Sequence, residues 1–329
     1  MFDFVSFFPR AVMQGIPLLF GSTGEILTEK SGNLNLGIPG IMYVGGISGV
    51  IGAFFYEQSV GPDGVMNGLL AVLIPFLCSL LGSLLMGLLY CFLTVTLRSN
   101  QNVTGLAMTT FGVGLGNFFG GSLSTMAGGV GQLSTAATSS LFRAKIPFLC
   151  DLPVVGELLF GYGMLAYAGI IITIVLHWFL YRSRPGLNLR SVGESAATAD
   201  AAGINVTRYK YMATIIGGMI AGLGGLYFVM DYSTGGWNNN GFGDLGWLAV
   251  ALVIFARWRP LNVIWGSWLF GGLCILYLYI GGLSRQAQEI FRCLPYIVTI
   301  IVLVITSLRK KREDQPPAAL GLPYFREER

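Results

Sequence analysis

Long runs of apolar residues, separated by short polar segments, dominate the pattern along this 329-residue chain. The apolar residues are continuous rather than alternating, which favours helices over strands. About 20 apolar residues suffice for a helix to cross a bilayer, where it satisfies its own backbone hydrogen bonds. The pattern predicts an all-α polytopic membrane protein with about nine helices, near residues 9–28, 36–56, 67–97, 102–122, 161–181, 209–230, 244–257, 261–281 and 293–308.

Three of these runs depart from a simple crossing. Run 244–257 is short, and runs 36–56 and 102–122 are rich in glycine, which indicates broken or re-entrant helices. Small residues at four-residue spacing let helix backbones approach closely in lipid, so we expect packing within one domain spanning residues 1–329. These positions include Gly45 and Gly49; Ser79, Ser83 and Gly87; Gly112, Gly116 and Gly120; Gly218 and Gly222; and Ala221 and Gly225.

Composition supports a membrane location, and the distribution of charge predicts the orientation. Hydrophobic residues make up 53% of the chain and charged residues 11%, against about 25% charged residues in soluble domains. Cytoplasmic loops carry excess lysine and arginine, which predicts an external N-terminus and a cytoplasmic C-terminus. Fifteen of the 20 basic residues then lie inside: Lys30, Arg98, Arg182, Arg184, Arg190, Arg208, Lys210, Arg257, Arg259, Arg309, Lys310, Lys311, Arg312, Arg326 and Arg329.

Residue patterns for catalysis are missing from the sequence. None of the five lysines has the preceding glycine of a phosphate-binding loop, and no nucleophile elbow occurs. His177 is the single histidine, and the five cysteines have no metal-site spacing. We therefore expect no catalytic residue, metal site or enzyme activity in this chain, and the net charge of +4 does not indicate nucleic-acid binding.

Acidic residues are rare within the apolar runs. Glu25 and Glu29 share one helix face at i,i+4 spacing, with Lys30 beside them. They are interpreted as a possible structural ion pair at the end of the first helix. Asp231 and Asp244 are expected at the outer boundary, where water solvates them.

Uncharged polar residues suggest a pathway through the membrane. Scattered hydrogen-bonding and aromatic groups suit a neutral, hydroxylated solute, whereas hydrogen bonds between helices explain the same residues almost as well. Both interpretations stay open for Asn33, Asn35, Asn102, Thr109, Phe111, Asn117 and Trp247.

Two loops are longer than the topology requires. The external stretch 123–160 predicts a short helix or two at the outer surface. The internal stretch Gly193–Thr207 is rich in alanine, which favours a helix, with Gly203 placed to end it and Glu194 near its start. Its small side chains suit a groove on a partner, although an ordinary surface helix explains them equally well. A tail, 309–329, follows the last helix.

Four motifs in one order resemble the permease subunits of bacterial ATP-binding-cassette (ABC) importers of the nucleoside and simple-sugar type, within the branched-chain amino acid, ribose and nucleoside permease superfamily. They are GEILTEKSGNLNLGIPGIM (24–42), NQNVTGLAMTTFGVGL (100–115), RSVGESAATADAAGINV (190–206) and GWLAVALVIFARWRPLNVIWGSWLFG (246–271). The chain departs from the family pattern at Ser195 and Ala196, where G-E-N-P is usual, and at Pro39, where glutamate is common.

The resemblance implies a type II importer fold in a bacterial inner membrane, with a separate ATPase subunit that binds ATP and Mg²⁺, so that no cofactor belongs to this chain. It also implies a second permease, expected to be a different chain, and an extracytoplasmic substrate-binding lipoprotein, with membrane lipid around the helices. The loop around 190–207 would contain the coupling helix that docks on the ATPase, through Arg190, Gly193, Glu194, Ala197, Asp200, Ala201 and Gly203.

Three functions follow as hypotheses. The leading one is import of a nucleoside or a related purine- or sugar-like solute. The same machinery could instead carry riboflavin or a simple sugar. A stand-alone secondary transporter is the third, although such proteins usually carry more acidic residues in their membrane helices.

Overall fold

The computed structural model describes residues 4–61, 64–128, 133–145, 156–282, 284–309 and 315–325. The first seven helices in this part of the chain are α1 (Phe4–Glu29), α2 (Ile38–Val60), α3 (Gly68–Cys91), α4 (Gln101–Met126), α5 (Ala136–Phe142), α6 (Met164–Arg182) and α7 (Arg184–Glu194). The next six are α8 (Ala196–Ala201), α9 (Val206–Tyr227), α10 (Leu245–Phe255), α11 (Pro260–Tyr279), α12 (Arg285–Arg292) and α13 (Leu294–Arg309). Three π-helical turns span Phe92–Thr96, Gly156–Phe160 and Phe228–Tyr232, and β1 (Leu133–Ser134) pairs antiparallel with β2 (Gly236–Trp237).

Every one of the nine predicted runs contains a helix, so the all-α prediction is confirmed. Seven helical stretches among the described residues are long and apolar enough to cross a membrane, and the count of about nine crossings is not confirmed. Helix α4 is long but does not belong to these seven. Helix α10 has 11 residues, about 16 Å at 1.5 Å per residue, roughly half of a 30 Å hydrocarbon core.

Helices α1, α2 and α9 form the centre of the bundle. Helix α1 is buried continuously from Gly15 to Glu29 and packs mainly on α9 and α11. Helix α2 packs on α3, α4 and α9. The peripheral α3 leaves leucines such as Leu81 and Leu85 exposed on its outer face, as expected where lipid rather than water surrounds the helix.

The small residues predicted to mark packing faces lie at helix crossings within the chain. A Cβ atom added to Gly45 of α2 would lie 2.5 Å from the Cα atom of Gly222 in α9. One added to Gly112 of α4 would lie 2.5 Å from the Cα atom of Gly40 in α2. Backbones approach this closely only where side chains are absent, so these glycines fix the spacing of the central helices.

The breaks in the helices lie elsewhere than the glycine-rich runs predicted. Helices α2 and α4 run without interruption, because their glycines serve close approach to neighbouring helices rather than bending. Among the described residues, one non-helical segment at the end of a central helix is the link 30–37 between α1 and α2. Another is the stretch 233–244, in which Trp237 and Phe242 pack against Tyr43 of α2 before α10 begins.

The stretch 123–160 contains α5, which confirms a short helix there; residues 129–132 and 146–155 lie outside the described part. Helix α5 packs into the bundle, where the Ser139 hydroxyl donates to the Met230 carbonyl at 2.6 Å. This cover corrects the expectation of a solvated Asp231: its side chain is buried beside Gly163, and Oδ2 has no hydrogen-bond partner among the described residues. Asp244 is exposed, as expected.

Two glycines on α4 give a matched test of this packing. We expect Gly112→Ala to lower the free energy of unfolding by about 1–3 kcal/mol, because the added methyl group overpacks the crossing with α2. Gly114 has no atom within 4 Å of an added Cβ. Gly114→Ala should therefore be neutral or stabilising by up to about 1 kcal/mol, the gain in helix propensity. Unfolding of both variants in detergent by denaturant measures the difference, and equal effects would contradict close packing at Gly112.

Candidate functional site

Three segments meet at one end of the bundle: the link 30–37, residues 193–205 and the C-terminal segment 315–325. We call this arrangement the junction. The Ala319 amide donates to the Gly193 carbonyl at 3.0 Å, and the Gly321 amide donates to the Gly32 carbonyl at 3.3 Å. A Cβ atom on Gly32 would lie 3.3 Å from the Cα atom of Gly193, so backbones touch directly. The charge pattern predicted that these segments lie on the same side of the membrane, and they meet in the structure.

The predicted helix within Gly193–Thr207 is α8 (Ala196–Ala201), and Gly203 beyond it has a φ of +82°. Left-handed backbone at this position suits a glycine that ends a helix. Ser195 caps the start of α8, its hydroxyl accepting from the Thr198 amide at 3.3 Å. Asparagine, usual here in the family, caps helices as well as serine does. The departure at Ser195 therefore preserves the local structure.

Helix α8 has an inner and an outer face. Val192, Ala196, Ala199 and Val206 form a small apolar cluster beneath it, against which Tyr324 packs. The predicted docking residues divide between the faces. Gly193 is buried and Arg190 and Asp200 are half-buried, while an exposed ridge holds Glu194, Ala197, Ala201 and Gly203.

The link between α1 and α2 is non-helical yet almost wholly buried. Asn33 and Asn35 are both 0% exposed. Such backbone is tolerated at membrane depth only where protein groups satisfy its hydrogen bonds. Four helices supply these groups: Leu34 N–H donates to Gln101 Oε1 (2.7 Å), Asn35 N–H to Glu25 Oε1 (3.0 Å), Asn33 Nδ2 to Thr214 Oγ1 (3.0 Å), Thr109 Oγ1 to the Leu36 carbonyl (2.7 Å), and Tyr90 Oη to the Leu34 carbonyl.

The structure corrects the predicted ion pair at the end of α1. Glu25 accepts from the Asn35 amide, and Glu29 accepts from the indole N–H of Trp258. Among the described residues, Lys30 forms no ion pair with either carboxylate. Consecutive residues point about 100° apart around a helix, so the side chains of Glu29 and Lys30 leave α1 in different directions. The two acids instead hold the ends of interrupted helices.

Lys30 belongs to the electrostatics of the junction. Burial lowers the pKa of its ammonium group, and the carboxylate of Glu194 acts in the opposite direction. Its backbone carbonyl packs on Gly193. Lys30 therefore faces the α7–α8 turn, which sequence spacing did not indicate.

The predicted pathway residues do not form one lining. Asn33, Asn35 and Thr109 hydrogen-bond around the link, as described above. Asn117 exchanges hydrogen bonds with Asn240 of the stretch 233–244, at 2.9 and 3.2 Å. Asn102 and Phe111 are exposed on α4, and Trp247 is half-buried on α10. A pathway role for these residues stays a prediction.

Comparison with known proteins identifies the family. A model described as the permease component of branched-chain amino acid transport systems matches residues 9–303. The chain belongs to this permease family. It is 32% identical to a putative glucose ABC transporter permease, TsgC13 of Haloferax volcanii, over 94% of both chains. It is 30% identical to the nucleoside ABC transporter permease NupC of Lactococcus lactis over 88% of both chains, and 28% identical to the guanosine ABC transporter permease NupQ of Bacillus subtilis over 98% of this chain and 97% of that one.

The contribution of the C-terminal segment to this permease could not be read from the sequence. Tyr324 Oη donates to Asp200 Oδ2 at 2.7 Å, and Phe325 lies under the guanidinium group of Arg98, 4.7 Å from its carbon to the ring centroid. No periodicity or motif joins residue 324 to residue 200, 124 positions away. A contact of this range is decided by the tertiary fold.

Removing one hydroxyl tests how the segment is held. We expect Tyr324→Phe to weaken docking of residues 315–325 by about 1–2 kcal/mol, because a hydrogen bond to a charged group is lost. Hydrogen exchange at the Ala319 and Gly321 amides should then accelerate by roughly five- to thirtyfold.

Tyr232→Phe is the matched control for this permease, since the Tyr232 hydroxyl has no hydrogen bond to the described residues. Unchanged exchange in both variants would show that the Tyr324–Asp200 contact does not hold the segment.

Proposed function

We propose that this permease imports a nucleoside, or a related purine- or sugar-like solute, using the energy of ATP hydrolysis by a separate subunit. Helix α8 is the docking element in this proposal. Its exposed ridge carries small side chains at Ala197 and Ala201, which suit entry into a groove, and its inner face is fastened to the bundle.

The observation that carries the proposal is the backbone contact between Gly193 and the link. An added Cβ on Gly193 would lie 3.0 Å from the carbonyl carbon of Lys30 and 3.1 Å from the nitrogen of Gly32. Close-packed groups transmit displacement, because no void absorbs it. Movement of α7 and α8 by a docked ATPase would therefore shift the link 30–37, and through its hydrogen bonds the helices α1, α3, α4 and α9.

The relatives support a neutral solute. Two are named for nucleosides or guanosine and one for glucose. Nucleosides and sugars are uncharged and rich in hydroxyl groups, which matches the predominance of uncharged polar side chains among the predicted pathway residues. A simple sugar is the alternative, favoured by the identity of 32% to the Haloferax relative.

The assembly in this proposal has several other parts. The ATPase binds ATP and Mg²⁺, a second and different permease chain completes the membrane unit, and an extracytoplasmic lipoprotein delivers the solute. In this proposal the junction faces the cytoplasm. The C-terminal segment then lies on the cytoplasmic side of the membrane, and the start of α1 lies on the external side. Clustering of the basic helix ends at the junction supports this orientation.

Transport by the reconstituted complex tests the function. We expect proteoliposomes holding both permeases, the ATPase and the lipoprotein to accumulate labelled guanosine only with internal ATP and Mg²⁺. Ala197→Trp should reduce this uptake at least tenfold, because the bulky ring prevents docking of the ridge. Purification of the variant permease should be unaffected, since Ala197 is exposed.

Ala107→Trp is the matched control, an exposed alanine on α4 outside the junction. If the Ala197→Trp variant takes up guanosine at the same rate as the Ala107→Trp variant, the docking role of α8 is contradicted. Accumulation of glucose but not guanosine would select the sugar alternative. Uptake driven by an ion gradient through this chain alone would overturn the proposal.

A further inference from the structure

A cavity of about 680 Å³ opens beside the junction, between the turn Phe92–Thr96, the α8–α9 connection and the C-terminal segment. Its polar lining includes Arg98, Asp200, Asn205, Arg208, Lys210 and Tyr324. Its volume falls within the range of about 300–1,000 Å³ usual for small-molecule sites. Neither the family resemblance nor the relatives' names assign a role to this cavity.

Lys210 is the decisive residue in this cavity. Lys210 as a residue is only 3% exposed, and its ammonium group has no hydrogen-bond or ion-pair partner among the described residues. Burying a charge without a partner is costly. Lys210 lines the cavity, and its ammonium nitrogen is not fully sealed from solvent, so this group is accessible to an occupant of the cavity.

The other charged groups make the cavity cationic. Among the described lining residues, the cations Arg98, Arg208 and Lys210 face one carboxylate, Asp200, which already accepts the hydrogen bond from Tyr324. Arg98 is held in place by its stacking on Phe325. The excess of two positive charges among the described lining residues matches a doubly negative group.

The start of α9 adds backbone donors to the same lining. The Asn205 side chain accepts from the Arg208 amide at 2.9 Å. Val206 and Thr207 precede Arg208 in the first turn of this 22-residue helix, and both residues line the cavity. Helix N-termini favour anions through the free amides of their first turn and the helix dipole.

We propose that this cavity binds a small anion bearing a phosphate monoester, with Lys210 and Arg208 as the main ligands and Arg98 closing the site. Phosphate oxygens accept charge-assisted hydrogen bonds from lysine and arginine, which are stronger than neutral ones. The phosphate belongs either to a free metabolite or to a lipid headgroup. An anion bound in the cavity would bridge α9, the α8–α9 connection and the C-terminal segment, and would thereby hold α8 against the bundle. This proposal does not rest on the proposed import function, because anion binding to the purified chain is measured without transport.

Binding to the purified full-length chain in phosphatidylcholine nanodiscs tests the site. Inorganic phosphate and glycerol 3-phosphate are the free probes, titrated calorimetrically. We expect Lys210→Met to weaken binding at least tenfold, and Lys210→Arg to retain most of the affinity. Asp200→Asn should strengthen binding, because it removes the only carboxylate among the described lining residues. Lys145→Met, at an exposed lysine in another loop, is the matched control.

Nanodiscs that contain phosphatidic acid distinguish the two sources. If this lipid competes with glycerol 3-phosphate, and if the competition disappears in Lys210→Met, the site is supported and its ligand is a lipid headgroup. Free-probe binding unaffected by the lipid supports a soluble metabolite. The proposal is overturned if neither source depends on Lys210, or if Lys210→Met weakens only the affinity for the ATPase, since the cavity would then receive an acidic side chain of that partner.

Discussion

The buried, non-helical link between α1 and α2 imposes the constraint on which the rest of this structure depends. Backbone groups in a membrane bundle find no water, so each exposed donor or acceptor requires a protein partner. Residues 33–37 meet this requirement through side chains of α1, α3, α4 and α9. Four helices are thereby tied to one short segment, and none of them can move far without disturbing its hydrogen bonds.

The same segment touches the surface element that is proposed to receive the ATPase. Gly32 and Gly193 meet without side chains between them, and residues 319–321 add backbone hydrogen bonds to both sides of this contact. The packing leaves α8 exposed on one face and rigidly supported on the other. An element that is both exposed and supported can pass a displacement into the membrane, which a loop free of the bundle could not do.

Local features of the sequence predicted local structure well. Continuous apolar runs placed the helices, and the alanines after Ser195 followed by Gly203 placed α8, because helix formation and termination depend on neighbouring residues. Glycine-rich runs were interpreted as broken helices and proved continuous. Glycine lowers the stability of a helix by local propensity, but close packing on a neighbour, as between Gly40 and Gly112, more than offsets that loss in the bundle.

By itself, the sequence determined the all-α membrane architecture, the permease family, the segregation of basic residues and the position of helix α8. Only the tertiary structure decided that Glu29 bonds to Trp258 rather than pairing with Lys30, that Asp231 is buried, and that Lys210 opens onto a cationic cavity beside Tyr324. The physical reason is the separation along the chain over which each interaction acts. Propensity, charge bias and capping act over a few residues, whereas these partners are brought together only by the packing of distant helices.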